Sequence, residues 1–272
     1  MRNSYDVSWT ETSSASFTAR HEAAHAHHAE DLLDDLERFR DELGSDFETL
    51  PAGISVVIHP RPIELALAQP WLPLARLAVA PASRRYMASW FSERELHVLA
   101  PGALEERSSG LAGSREALLL SPLHEYAHVV VGANNRSLPP PFTPRSFRRY
   151  LRSAWLCEGA ATYLSGQSPY LRAAVGRRLG EGPPPAFPPT ARDAPLLGST
   201  VFDLLERERG RHACVELATR RADGDDRQLV ELAFGRSAAA VERDWRRALT
   251  DFAAARQPAN VYDLGARRDR QR

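Results

Sequence analysis

Apolar residues recur along this chain at changing periods, and the changes divide it into stretches. Residues 1–18 are polar and rich in Ser and Thr, and they read as a loose arm. From about 19 to 43 the period becomes helical: Leu32, Leu36, Phe39 and Leu43 share one stripe, while Asp31, Asp34, Asp35, Glu37, Asp41 and Glu42 mostly fill the other faces. Gly44 follows as a stop signal. "ISVVIHP", 54–60, reads as a strand ended by Pro60. Segments 74–81, 84–91 and 95–102 are further strand candidates, the last two close enough for a hairpin. Residues 103–113, with Gly110 and Gly113, read as a loop.

From about 114 the helical period returns. "SPLHEYAHVVVGANN" offers Ser121 as a cap and Pro122 at the first helical position. A proline-rich loop follows at 137–144, then one long helix or two short ones over 145–166. A second proline-rich stretch spans 180–195. Helices are expected near 199–209, 211–222, 225–234 and 238–254, and no repeat is visible. The expected class is α+β: an N-terminal helix, a small mixed or antiparallel sheet, a helix bearing the candidate chemistry, and a mostly helical C-terminal part. The expected division is a flexible arm 1–18, a single domain 19–254 with a sheet-containing lobe at about 50–135 and a helical lobe at about 145–254, and a flexible tail 255–272.

Composition narrows the function classes. Apolar residues are 43% and charged residues 26% of 272, a globular profile. All 35 basic residues are Arg, balanced by 35 acidic ones, so no net charge points to nucleic acid. Nothing approaches 18 continuous apolar residues, so no membrane span is expected. The first residues lack the apolar stretch of a secretory signal, which makes the cytoplasm the default location. Cys157 and Cys214 are too few for a disulfide framework and read as small buried hydrophobes. Trp71, Trp90, Trp155 and Trp245 are dispersed like core anchors. "GLAGSR", 110–115, lacks the Lys-Ser/Thr of a phosphate loop.

The pattern H-E-x-x-H occurs twice, at 21–25 and 124–128. On a helix, His at i and i+4 share a face and can hold one Zn²⁺, with the Glu beside the metal as a base. The first copy, "HEAAH", lies in polar surroundings without an apolar shield. Its His21, His25 and His28 read as the wetter end of a packed stripe. The second copy, "HEYAH", is preceded by "ALLLS" and followed by "VVVG". A carboxylate such as Glu125 on a buried helix needs a partner, and a metal supplies one. Zinc requires a third protein ligand and an open position. Glu158 in "WLCEGAATY" is the candidate, thirty residues past His128.

"HEYAHVV" together with "WLCEGAATYLSG" resembles the gluzincin zinc metallopeptidases, the thermolysin-like or peptidase-MA-like superfamily. The ending "FGRSAAAVERDWRRAL", with Glu242 before Trp245, and the strand "HVLAPG" are similar to that family as well. The resemblance implies His124, His128 and Glu158 as ligands of Zn²⁺, Glu125 as general base, and a peptide or protein as substrate. It matches Tyr163 to an aromatic residue after the ligand helix; Tyr163, Tyr170 and Tyr150 are candidate oxyanion donors. It also implies that "HVLAPG" is an exposed edge that pairs with extended peptides. Two departures stand out. The gap from His128 to Glu158 is long, and Thr162 occupies the position where an Asp often supports the first His. A catalytically silent binding or scaffold protein and a zinc hydrolase of a non-peptide amide or ester are the competing readings.

Overall fold

The computed structural model describes residues 9–68, 89–220 and 225–255. The strand candidate 74–81, most of 84–91, Trp71 and most of the expected tail lie outside them. The described chain begins not with a helix but with two strands, β1 (Trp9–Ser13) and β2 (Phe17–Glu22), paired antiparallel. This corrects the expected N-terminal helix. The overlooked signal is the period of two at Phe17, Ala19 and His21, whose side chains are all buried while Thr18 and Arg20 point away. A short 3₁₀ turn, Ala23–His25, then leads into α1 (Ala26–Leu43), which carries the expected stripe.

Three more strands complete the sheet: β3 (Ile54–His59), β4 (Ser89–Phe91) and β5 (Glu95–Leu99). The order is β1-β2-β3-β5-β4, parallel at β2/β3 and β3/β5 and antiparallel at β1/β2 and β4/β5. The sheet is therefore mixed, and the β4/β5 pair is the expected hairpin. Between β3 and β5 runs α2 (Pro62–Ala68) and residues outside the description. The strand that "HVLAPG" forms is interior. Among the described residues the outer edge on that side belongs to β4.

Helices make up the rest. In place of the loop expected at 103–113, α3 (Pro101–Arg107) forms, started by Pro101 at a position that needs no N–H. Next come α4 (Ser114–Leu119), α5 (Ser121–Asn134), α6 (Pro144–Arg152) and α7 (Ala154–Leu164). Ser153 alone separates the last two, so 145–166 is two short helices. After a 3₁₀ turn follow α8 (Arg172–Gly180), α9 (Ala194–Arg209), α10 (Arg211–Thr219), α11 (Asp226–Phe234) and α12 (Ala238–Ala254). No helix among the described residues is long and apolar enough to cross a membrane.

One buried cluster runs from Phe17 to Leu249 and joins sheet to helices. The helix α5 passes through its middle. Tyr126 packs its ring against Phe17, centroids 5.0 Å apart, and donates its hydroxyl to Pro51 O at 2.9 Å. Trp245 of α12 is fully buried and donates to Thr200 Oγ1 at 2.8 Å. Where α7 crosses α9 the two backbones touch at Gly159 and Gly198. A Cβ built on Gly198 would fall 2.7 Å from the Trp155 carbonyl oxygen and 2.9 Å from Gly159 Cα. Only glycine at both positions allows that approach.

At the first hairpin, Glu37 of α1 accepts from the Ser14 hydroxyl at 2.7 Å and the Ser16 N–H at 2.5 Å. Burial works against its charge, but these bonds outweigh burial and hold the carboxyl below its ordinary pKa.

Two outcomes test this packing. Gly198→Ala should lower stability by at least about 2 kcal/mol, because the new methyl overpacks against rigid backbone. An unchanged urea midpoint would show that the helices do not touch there. Glu37→Gln should cost about 1 kcal/mol near neutral pH by weakening two bonds to a charge. A depressed folded pKa stabilises above the unfolded value and is lost as pH falls through the folded one. The difference between variant and wild type in denaturant midpoint should therefore shrink as pH drops below the ordinary carboxylate range, and a pH-independent difference would exclude the charged bond.

Candidate metal centre

The two halves of the candidate site sit on α5 and α7. His124 and His128 are one turn apart on α5, and Glu158 faces them from α7. His124 Nε2 and His128 Nε2 lie 3.0 Å apart; Glu158 Oε2 is 3.6 Å from the first and Oε1 is 3.8 Å from the second. Among the described residues this is the set of three His, Cys, Asp or Glu side chains whose ligand atoms converge within reach of one ion. Ligands about 2.1 Å from a tetrahedral Zn²⁺ stand roughly 3.4 Å from one another, so the triangle has the right size. The side chains of His124 and Glu158 are each 13% exposed and that of His128 2%, which leaves one side of the cluster open to solvent.

The donor set fits a metal chemically as well. A ligand nitrogen must be unprotonated, so the other ring nitrogen must carry the hydrogen and donate it. His124 Nδ1 lies 3.5 Å from Thr162 Oγ1, and His128 Nδ1 lies 3.4 Å from Cys157 Sγ. Both partners are neutral. Thr162 thus stands where the sequence reading placed it, one turn beyond Glu158. Phe91 covers His128, ring centroids 4.4 Å apart and nearly parallel.

Electrostatics sort the charges. Burial pushes the His128 imidazole down to about 3, keeping it neutral. Burial would raise Glu158, but His128, His124 and the Tyr150 hydroxyl, which donates to Oε1 at 2.8 Å, hold it down to about 2. Glu125 lies beside the triangle, buried. Burial pushes its carboxyl up to about 7 against the pull of His124 and a bond from Ser89. Ser89 Oγ, at the start of β4, donates to Glu125 Oε1 at 2.5 Å.

Other candidates fall elsewhere. Five positions separate Tyr163 from Glu158, which turns it about 140° around α7. Its ring stacks on Phe202 of α9, centroids 5.7 Å apart, and it is no part of the triangle. Of the three candidate tyrosines, Tyr150 is bonded to a member of the triangle. The helical fold cannot be read for "HEAAH", since His21 belongs to β2 and His25 to a 3₁₀ turn. His21 is buried, with Nε2 2.9 Å from Thr12 Oγ1 and Nδ1 2.8 Å from Glu22 O. His59 and His97 pair inside the sheet, Nε2 to Nδ1 at 2.9 Å, away from the triangle. Cys157 and Cys214 are buried free thiols. Ser89 escaped the sequence reading, because nothing in "RRYMASWF" marks one serine as aimed at a carboxylate four elements further along the chain.

No family model matches the chain, and no curated protein matches it. Among solved structures it is similar to that of a two-domain M1 zinc metallopeptidase mutant bound to L-tryptophan, at 14% identity and a TM-score of 0.39, over 93% of this chain and 52% of that one. The chain thus spans about half the length of that protein. A likeness at this score carries no argument about function, and the site stands on its own geometry.

The donor set makes a direct prediction. Thr162→Asp should tighten Zn²⁺ binding about tenfold, by giving His124 Nδ1–H a charged acceptor. Competition against a chromophoric chelator would read it; equal affinity would show that Thr162 does not support His124.

Proposed function

We propose that the protein is a zinc-dependent hydrolase whose substrate is a peptide bond. The observation that carries this reading is the placement of a buried carboxylate, Glu125, beside a His124–His128–Glu158 triangle of metal-ligand size. Zn²⁺ held there would act as a Lewis acid on a carbonyl oxygen and lower the pKa of water. The remaining chemistry belongs to the chain. Glu125, with its proton affinity raised toward neutrality, takes the proton of the attacking water and passes it to the leaving amine. Ser89 holds the carboxylate by one oxygen. Tyr150 steadies Glu158, and Phe91 and Tyr150 keep bulk water off two sides of the triangle. The strand β4, outermost among the described strands, lies next to this site, and a sheet edge there would suit an extended peptide.

A second reading rests on Thr162 and Cys157. Neutral partners on both histidines favour weaker metal binding, as in a silent relative that binds rather than cleaves. The choice between the readings is experimental. Purified protein loaded with Zn²⁺ should turn over a quenched-fluorescence peptide library, lose activity to a chelator and regain it on zinc addition. Glu125→Gln should lower kcat by about 10²-fold or more while keeping the metal. Equal turnover by both proteins would remove Glu125 as base, and zinc-loaded wild type without turnover would favour the binding protein.

A further inference from the structure

Positions 126–157, which link the two halves of the triangle, contain Arg136, Arg145, Arg148, Arg149 and Arg152 and not one carboxylate. In a chain of zero net charge this is a pronounced local excess of positive charge. The fold turns part of it into a cavity of about 600 Å³, lined by Arg136, Arg145 and Arg149 with Leu138, Thr143 and Ser146 among the other walls. No carboxylate among the described residues lies within ion-pair distance of Arg136 or Arg145, and both are exposed. The hydroxyls of Thr143 and Ser146 are already committed. Ser146 Oγ donates to Pro141 O at 2.6 Å and accepts from Thr143 N at 2.7 Å, while Thr143 Oγ1 accepts from Ser146 N at 3.1 Å in a capping box. Recognition in the cavity therefore falls to the guanidinium groups, whose planar forks match carboxylates.

This cavity shares its walls with the cleft. Pro141 precedes Phe142, whose ring stacks on Trp90 at 5.1 Å and lies 5.2 Å from Phe91, the residue covering His128. Arg149 precedes Tyr150, which donates to Glu158. The loop is pressed onto α5: a Cβ at Gly132 would meet Pro140 Cδ at 2.3 Å. One segment of chain thus lines the cavity and, through Phe142 and Tyr150, reaches the surroundings of the triangle.

We propose that this cavity binds the carboxylate side chains of an acidic peptide segment, so that the protein selects substrates acidic to one side of the cleaved bond. The substrate clause rests on the peptidase reading; the binding clause does not. Its volume suits several side chains, far more than a lone inorganic anion fills.

The test is fluorescence anisotropy with a labelled Glu-rich peptide and its Gln-matched counterpart, on zinc-treated Glu125→Gln protein. The acidic peptide should bind about tenfold tighter or more at low salt, and the preference should fade as salt rises. Arg136→Gln with Arg145→Gln should abolish the preference with the circular-dichroism melt unchanged. Arg145→Glu should shift it toward an Arg-rich peptide. Equal binding of both peptides, or a preference that survives the double substitution, overturns the proposal. So does full competition by micromolar inorganic phosphate, which would assign the cavity to a small free anion. A protein that prefers the acidic peptide yet cleaves nothing refutes the peptidase reading alone, and one that cleaves without preference refutes this proposal alone.

Discussion

Backbone contact between Gly159 and Gly198 sets where Glu158 can be. The residue after the carboxylate has no side chain, so α9 rests directly on α7. Such a contact is governed by repulsion between hard atoms and leaves little freedom to slide. The opposite partner is held in the same manner. Gly132 of α5 has Pro140 against it, and Tyr126 of the same helix is wedged between Phe17 and Phe39. Two helices fixed by close approach bring one ligand atom from each of three residues within 4.8 Å of one another. The polar triangle is thus a product of apolar and backbone packing, and its geometry does not depend on attraction among its own charges.

Around that frame the side chains have separate duties. Glu158 on α7 is kept ionised by two imidazoles and a phenol, whereas Glu125 on α5 is kept near the point of accepting a proton by burial. The environments of the two carboxylates pull in opposite directions, which is the arrangement that separates a ligand from a base. Thr162 and Cys157 supply the imidazoles with neutral support. The charge that a carboxylate would add there is absent.

Much of this was legible in the sequence because the periodic signals are long. The stripe Leu32–Leu43, the strand at 54–59 and the four C-terminal helices follow from repeats of apolar residues over several turns. The convergence of His124, His128 and Glu158 was legible because i, i+4 histidines on an apolar helix share a face and Glu158 sits in the next apolar helical stretch. What failed was short or nonlocal. The strand Phe17–Glu22 alternates over only three buried positions, one of them a histidine, and a helix period starting nearby drowned it. "HEAAH" borrowed the appearance of a motif from that error. Tyr163 matches an aromatic residue of the resembled family, and five residues along a helix turn it away from Glu158, while a neighbouring helix turns Tyr150 inward. Ser89 depends on a strand pairing that no local window contains.

Ser89 has one more implication. Its backbone lies on the outermost described strand of the sheet, while its hydroxyl reaches inward to the buried carboxylate of Glu125. The same residue therefore belongs to the surface on which a chain could lie and to the interior that would act on it. Displacing β4 by a fraction of an ångström lengthens a 2.5 Å bond, and a short bond to a buried carboxylate responds steeply to length. The position of the outermost described strand and the surroundings of the buried Glu125 carboxylate are thus tied together through a single hydrogen bond.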